Sequence, residues 1–223
     1  MSSSSAVQDY LKAIYQLGGD GSHVSTSDLA DRLDVRAPSV SSMVRRLHDQ
    51  GLARHSRYQG VKLTRAGVRQ ALEVIRHHRL LELYLVKELG MDWDQVHEEA
   101  EVLEHVLSEH LESRLDALLG HPTEDPHGDP IPTADLTVDS SRYPPLVELH
   151  DGARCVVRRV SDRDPEMLRH LGALGIRPGA EVTVLSSTPF GGDVRIRVGR
   201  RVRQLGARAA ECVFVDGLDE EAS

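Results

Sequence analysis

The sequence predicts a mainly α protein with a C-terminal β domain: a winged helix-turn-helix, then long helices, then a small barrel. Three observations carry this. Apolar residues recur at helical spacing from Ala6 to about Leu119. Between two of these helices, short alternating runs at 52–56 and 61–63 flank a turn containing Gly60. Finally, a stretch with six prolines, residues 120–148, is followed by five short strand-like runs in about seventy residues, as in a small barrel.

Each element has its own signals. Val7, Tyr10, Leu11, Ile14 and Leu17 mark a first helix that Gly18 and Gly19 end. Ser25 with Asp28 fits a capping box ahead of Leu29, Ala30 and Leu33. After a turn at Asp34–Ala37, Pro38 stands at the first position of a helix whose inner face is Val40, Val44 and Leu47 and whose stop is Gly51. The pair forms a helix-turn-helix. Arg54, Arg57, Tyr58 and Lys62 line the hairpin wing that follows. Thr64 caps a long helix running to about Leu89, and Asp92 or Asp94 starts another that carries His97 to His105 and continues towards Leu119. Residues 120–148 read as a linker, partly ordered at its start. Strands are expected at Leu146–Val160, Glu181–Leu185, Asp193–Val198, Arg201–Leu205 and Cys212–Val215, with turns at Pro189–Gly192 and Gly199. Between the first two, Asp164 and Pro165 open a helix that stops near Gly172 or Gly175.

Charge is distributed unevenly. The net charge of −8 resolves into +3 for residues 1–75, −12 for 76–150 and +1 for 151–223. The acidic excess therefore sits in the central helices, where carboxylates without basic compensation bind cations. The first segment stays free to meet a polyanion: Arg36, Ser39, Ser41, Ser42, Arg45 and Arg46 give the second helix of the pair a small polar and cationic outer face, suited to base edges and phosphates. No apolar run approaches the ~18 residues of a membrane span, and the Ser-rich start lacks the features of a signal peptide, so a cytoplasmic chain is expected. Cys155 and Cys212 form no CxxC pair and read as buried small hydrophobes.

Residues Arg76–His105 hold six side chains of metal-ligand type: His78, Glu82, His97, Glu101, Glu104 and His105. His78 and Glu82 are four apart, as are Glu101 and His105, so each pair shares a helix face. On one continuous helix, His97, Glu104 and His105 all fall within about 60° of Glu101, beside a stripe of Val96, Ala100, Leu103, Leu107 and Leu111 that would be buried. Glu98, Glu99, Glu109 and Glu112 read as a solvated face. Asp9 alone reads as a carboxylate favoured by the N-terminal dipole of the first helix.

Taken together, Asp9–Tyr15, the turn and helix around Ala37–Ser41, His77–Glu82, His97–His105, Asp129–Pro132 and the barrel resemble the DtxR/MntR family of metal-responsive bacterial repressors over essentially the whole chain. The resemblance implies a winged helix-turn-helix DNA-binding domain over 1–72, a helical metal-binding and dimerisation domain over 73–139, a Pro-rich linker at 140–148 and an SH3-like, FeoA-type domain over 149–218. It further implies a primary metal site of Asp9, Glu101, Glu104 and His105, and a second of His78, Glu82 and His97. Glu166 and, ranked after it, Asp162 are candidates to complete the second site; Asp164 is better explained as a helix cap. Iron-responsive members place a Met and a Cys where this chain has Asp9 and Glu101, and hard carboxylates suit Mn(II). Lys12 departs from the pattern: it stands where some manganese regulators without the third domain have an extra Glu ligand, so a binuclear site of that type is not implied.

The expected protein is a Mn(II)-activated repressor of manganese-uptake genes, with Fe(II) or another divalent transition metal as the alternative corepressor. Its partners are a second copy of itself and a pseudo-palindromic double-stranded operator, with no membrane and no small-molecule substrate. Arg36, Pro38, Ser39 and Ser42 are expected groove contacts, with Arg57 and Tyr58 on the wing. A metal-dependent hydrolase would also use carboxylates and histidines. The chain, however, shows no separate nucleophile, phosphate loop or substrate-pocket signature, so it is expected not to be an enzyme.

Overall fold

The computed structural model describes residues 4–18, 21–56, 59–139, 141–188 and 192–218. In chain order its elements are α1 (Ser5–Gly18), α2 (Thr26–Leu33), α3 (Ala37–Asp49), β1 (Ala53–Ser56), β2 (Gly60–Leu63), α4 (Arg65–Lys87), α5 (Val96–Leu103), α6 (Glu109–Leu118), β3 (Arg154–Val160), α7 (Pro165–Leu174), β4 (Glu181–Ser187), β5 (Val194–Val198), β6 (Arg201–Leu205), α8 (Ala207–Glu211) and β7 (Val213–Gly217). The chain divides into two compact units. One comprises Met1–His78, Glu101–Glu112 and Pro132–Val138; the other comprises Arg79–Ala100, Ser113–Ile131 and Asp139–Ser223.

The first unit is built on the winged helix-turn-helix. Val7, Leu11 and Ile14 of α1, Leu29 of α2, and Val40, Val44 and Leu47 of α3 are buried in one core with Val61 of the wing and Ala71 of α4. Burying each such side chain stabilises the fold by about 1.5–3 kcal/mol. Ser25 caps α2, its Oγ accepting from Asp28 N–H at 3.0 Å. Pro38 falls at the second helical position of α3 rather than the first, because Arg36 is the N-cap. β1 and β2 pair antiparallel, and Val24 exchanges both backbone hydrogen bonds with Val61 at 2.8 Å. Gly60 permits that approach: it has φ +96°, and a Cβ there would lie 2.2 Å from the Val24 carbonyl oxygen. Thr64 caps α4 through Gly67 N–H. Arg57 and Tyr58 lie outside the described residues.

One expectation fails here. The second long helix is two helices: α5 ends at Leu103, a turn covers 104–106, and α6 begins at Glu109 with Ser108 Oγ accepting from Leu111 N–H at 3.3 Å. Glu104 and His105 therefore leave the helical wheel. The predicted stripe is buried only at Val96 and Ala100, whereas Val102, Leu103, Val106 and Leu111 are exposed, Val106 to 78%.

In the second unit, a five-stranded antiparallel sheet has the order β6-β5-β4-β3-β7. Inward residues Cys155 and Val157 are followed by Val160 rather than 159, because a bulge between Val157 and Arg159 shifts the alternation by one residue. Leu168 and Leu171 of α7 close the core with Ile176, Val184 and Ile196, and Trp93 joins it. Asp164 caps α7, while Gly175, at φ +81°, ends it. The run from Leu146 resolves into a single 3-10 turn, Leu146–Glu148, before β3. Both cysteines are free.

Within this unit, residues 120–131 are not an open linker. Asp125, His127 and Ile131 are buried. Asp125 Oδ1 accepts from His127 N–H at 2.8 Å and Asp129 N–H at 2.9 Å, and Arg79 donates to Pro130 O and to Asp129 at 3.2 Å. The prolines shape a folded turn in which Asp125 satisfies the backbone N–H groups of His127 and Asp129. Among the described residues, no helix is long and apolar enough to cross a membrane.

Candidate metal centre

The first unit gathers most of the predicted primary ligands. Asp9 and Lys12 are three residues apart on α1, so they share a face. The end of α5 and the turn after it deliver Glu101, Glu104 and His105. His105 Nε2 lies 3.0 Å from Asp9 Oδ1 and 3.8 Å from Glu104 Oε1. Donor atoms of Asp9, Glu104 and His105 all lie within 4.8 Å of one another. Around an octahedral ion with bonds of ~2.1 Å, adjacent ligand atoms stand ~3 Å apart, so this set of carboxylate oxygens and an imidazole nitrogen fits a hard divalent cation. Burial raises the Asp9 carboxyl above its usual pKa; His105 and Lys12 oppose the rise, and Glu101 and Glu104 add to it. Crowded, half-buried carboxylates of this kind gain from a bound cation.

Glu101 and His78 share a partner that the resemblance did not imply. They flank Lys12, whose Nζ lies 2.8 Å from Glu101 Oε1, 2.7 and 3.0 Å from the two Glu104 oxygens, and 3.1 Å from His78 Nδ1. His78 Nδ1 is also 2.5 Å from Glu104 Oε2. Supporting contacts hold the turn. His77 donates from Nδ1 to the Glu104 carbonyl at 3.1 Å and from Nε2 to Glu112 at 2.9 Å, and Arg76 donates to Glu112 at 2.5 Å. A ring donating from both nitrogens is an imidazolium: burial opposes the charge, but Glu112 and the Glu104 carbonyl prevail and raise the His77 pKa. Glu112 is likewise lowered despite its burial, by His77 and Arg76. Gln8 Oε1 accepts from His105 Nδ1 at 2.8 Å, which turns Nε2 towards Asp9.

The second unit holds another group. His97 Nδ1 lies 3.1 Å from Glu82 Oε1 and 3.7 Å from Asp162 Oδ2. Glu166, ranked ahead of Asp162 from sequence, is not brought to this group. The Asp164 cap fixes the start of α7, making Glu166 an exposed acid in its first turn, where the helix dipole favours it. Behind Glu82 stands His127, which the sequence reading passed over. His127 Nδ1 is 3.7 Å from Glu82 Oε2, its Nε2 donates to the Trp93 carbonyl at 2.8 Å, and its ring stacks on Trp93. Burial works against a charge on His127, but Glu82 and Asp125 raise its pKa to about 9.

The face expected to meet DNA is open: Arg36, Pro38, Ser39, Ser41, Ser42, Arg45 and Arg46 are all exposed on or just before α3. Ser41 is turned onto its own helix, donating to the Ala37 carbonyl at 3.1 Å.

Comparison with known proteins bears on all three regions. Residues 3–61 match the family described as iron dependent repressor, N-terminal DNA binding domain; residues 64–133 match its metal binding and dimerisation domain; and residues 145–217 match the FeoA domain. The chain is 36% identical over 219 residues to the iron-dependent repressor IdeR of Mycobacterium tuberculosis (strain ATCC 25618 / H37Rv), covering 93% of this chain and 95% of that protein. It is 32% identical over 186 residues to the diphtheria toxin repressor of Corynebacterium diphtheriae, covering 79% and 82%. Among solved structures, it is similar to a manganese-dependent transcriptional repressor in complex with manganese, with a TM-score of 0.89 and 43% identity over 95% of this chain and 100% of that one. It also resembles the manganese regulator SloR, with a TM-score of 0.78 and 31% identity over 95% and 98%. These relatives are repressors rather than enzymes. The chain belongs to the iron-dependent, DtxR-type family of metal-dependent transcriptional repressors, with a DNA-binding domain, a metal-binding and dimerisation domain and a FeoA domain.

Proposed function

We propose that this repressor is activated by Mn(II) and controls manganese-uptake genes as a homodimer on a pseudo-palindromic operator in the cytoplasm. The observation that carries the metal assignment is the donor set: Asp9, Glu104 and His105, gathered within 4.8 Å, offer carboxylate oxygens and an imidazole with no sulfur, and Glu101, which meets Glu104 through Lys12, adds a further carboxylate. Such sets favour Mn(II), which lies low in the Irving–Williams order and is selected by oxygen-rich geometry. Similarity to manganese-dependent repressors supports the same choice. The second reading, Fe(II) activation, draws on the iron-dependent relatives.

Bound at the first cluster, the ion supplies a divalent charge that the carboxylates of α1 and of the turn after α5 share. The chain's residues do the rest. Asp9 belongs to the same helix as Val7, Leu11 and Ile14, which pack the core beneath α3, so fixing Asp9 against Glu104 and His105 steadies the reading head. Corepressor and operator favour one conformation and strengthen each other reciprocally. In the second unit, Glu82, His97 and Asp162 are assigned to a second ion, with His78 one turn before Glu82 on α4. The exposed Val102, Leu103, Val106 and Leu111 are a self-complementary patch for the partner copy. Arg36, Pro38, Ser39 and Ser42 enter the major groove, and Arg57 and Tyr58 follow the backbone.

The test is operator binding by fluorescence anisotropy under anaerobic conditions, on DNA selected from a random pool with Mn(II) present. Mn(II) should tighten binding more than Fe(II) does, and chelation should abolish it. Equal or stronger activation by Fe(II) would move the assignment to iron.

A further inference from the structure

We propose that the outer face of strands β3 to β6, in the FeoA domain, binds the phosphate backbone of duplex DNA through Arg154, Arg195, Arg197, Arg200 and Arg201. The inference rests on the chain being a repressor with a DNA-binding domain, and not on which metal activates it. It gives the third domain a sequence-independent DNA contact of its own.

Residues 151–223 hold twelve arginines and no lysine. Several of the arginines are engaged within the unit: Arg158 pairs with Asp216 at 3.1 Å, Arg159 with Asp129 at 3.4 Å, Arg169 with Asp94 at 3.0 Å and Arg208 with Asp164 at 3.3 Å, while Arg177 lies over the Trp93 ring. The five of the outer face are different. All are exposed, and none has a side-chain hydrogen bond or ion pair among the described residues. Strand register places them together. Arg154 stands opposite Thr183, Thr183 opposite Arg197 and Arg197 opposite Val202, so one row crosses four strands. Arg195 lies in the next row, opposite Ser186 and Gln204, and Arg200 and Arg201 follow at the turn from β5 to β6. Nearby acids do not answer this charge: Asp151 accepts from Ser187 at 2.8 Å, Asp193 accepts from Gln204 at 2.6 Å, and Glu181 makes no ion pair among the described residues.

Like charges set side by side on a sheet cost stability. A local rule broken without compensation inside the fold marks a face built for a partner, and here that partner is a polyanion. Guanidinium forks match phosphate oxygens two at a time, which suits arginine rather than lysine. Along β5, Arg195 and Arg197 stand ~6.8 Å apart, at ~3.4 Å per strand residue. That equals the ~6.8 Å rise of two nucleotides on one DNA strand. Thr183 and Ser186, between the arginines, are hydroxyl donors of the kind that contact phosphates. An anionic membrane would need a broad apolar face beside the charges, whereas Val202 is the one large hydrophobic exposed among the described residues of these four strands. DNA is also the polyanion this chain already holds, so its local concentration in the complex is high. With a net charge of −8, most of the surface repels a duplex, and an arginine face is where one can approach.

The test compares the full chain with the pair Arg195→Gln and Arg197→Gln on the face, and with a control pair, Arg163→Gln and Arg208→Gln, that removes the same charge from around α7 and α8. Binding to a random-sequence duplex is followed by fluorescence anisotropy across a salt series, with whichever of Mn(II) and Fe(II) tightens operator binding present at saturation. At ~0.9 per neutralised phosphate, the slope of log K against log salt should fall by about 1.8 for the face pair and stay within about 0.5 of wild type for the control. An unchanged slope in the face pair, or an equal fall in both pairs, would overturn the proposal. A second measurement identifies the occupant. The photo-crosslinking residue p-benzoylphenylalanine, placed at the exposed Val202 position, should capture the duplex on irradiation. Crosslinks only to a second copy of the chain would overturn the proposal and give the face to an acidic protein segment instead. Activation of the wild type by Fe(II) rather than Mn(II) would count against the manganese reading alone, because the slopes are compared under the metal that works.

Discussion

Two groups of carboxylates and histidines in this chain use nearly the same donors and differ in how their negative charge is countered. In the first unit the counter-charge is Lys12, which lies directly on the donor oxygens of Glu101 and Glu104 at 2.8 and 2.7 Å. In the second it is His127, which faces the other oxygen of Glu82 at 3.7 Å and is pinned to the Trp93 carbonyl and ring. An ammonium on the donor atoms competes with or replaces an ion. An imidazolium behind the ligand orients the carboxylate and leaves its outer oxygen for His97 and for a metal. The two clusters should therefore respond differently when their supports are removed, even though their ligands are alike.

The largest effect should come from the first cluster. Asp9→Ala removes the α1 ligand, and Mn(II) affinity should fall by more than the ~100-fold at the upper end for groups that merely support ligands. Metal-dependent operator binding should vanish with it. Anisotropy titrations in which Asp9→Ala retains Mn(II)-dependent binding would break the contrast, because both clusters would then serve equally. His97→Ala, by comparison, should remove one bound ion while leaving most of the Mn(II) response, a loss in operator affinity of about tenfold or less.

His127→Phe comes next. It keeps the aromatic stack on Trp93 but deprives buried Glu82 of its nearby positive charge. Breaking a buried pair costs about 3–5 kcal/mol, seen as a lower Tm of the metal-free protein. Saturating Mn(II) should restore much of the loss, since an ion on Glu82 supplies the missing charge. Failure of saturating Mn(II) to restore the Tm of His127→Phe would show that Glu82 is not a ligand.

Much of this was legible in the sequence, wherever a local rule decides the structure. Ser25 with Asp28, Pro38 and Gly51, the runs around Gly60, and Asp164 with Pro165 and Gly175 each fixed an element to within a residue or so, because caps and tight turns depend on neighbours in sequence. The break after Leu103 was hidden by a periodicity that runs on through Leu107 and Leu111. Ser108, a cap residue in plain view, was its only signal. The exposure of Val102, Val106 and Leu111 follows from that break, and periodicity cannot show which apolar faces a monomer leaves uncovered. The order of residues 120–131 was legible only in part, because their six-proline surroundings look like a linker. That order comes from Asp125 accepting two backbone N–H groups and from Arg79, forty-six residues earlier in the chain. Asp162 rather than Glu166 lies beside His97, because the Asp164 cap puts Glu166 in the exposed first turn of α7.

A smaller effect tests the scaffold of the first cluster. Glu112 joins Arg76 and His77, and His77 holds the Glu104 carbonyl. Glu112→Gln keeps the shape and removes the charge, so apo stability should drop by about 1–3 kcal/mol. The Glu112 carboxyl is held below its usual pKa, so its contribution is present above the ordinary value near ~4.3 and fades as the pH falls through the lowered one. Chemical denaturation at neutral pH should therefore separate wild type from Glu112→Gln, and the gap should close only as the pH is taken below the lowered value. A constant gap would locate the loss in packing instead.

The smallest effect lies outside both clusters and serves as their control. Arg36 is the exposed N-cap of α3 and carries no capping hydrogen bond, so its side chain is available to a phosphate. Phosphate contacts add affinity without sequence information, through counterion release. Arg36→Ala should weaken binding to specific and random DNA alike and reduce the slope of log K against log salt by about one unit. Mn(II) stoichiometry and affinity in the absence of DNA should not change. If Mn(II) binding does change, α3 is coupled to the Asp9 cluster even without DNA, and the first cluster differs from the second in being wired into the reading head as well as in its lysine.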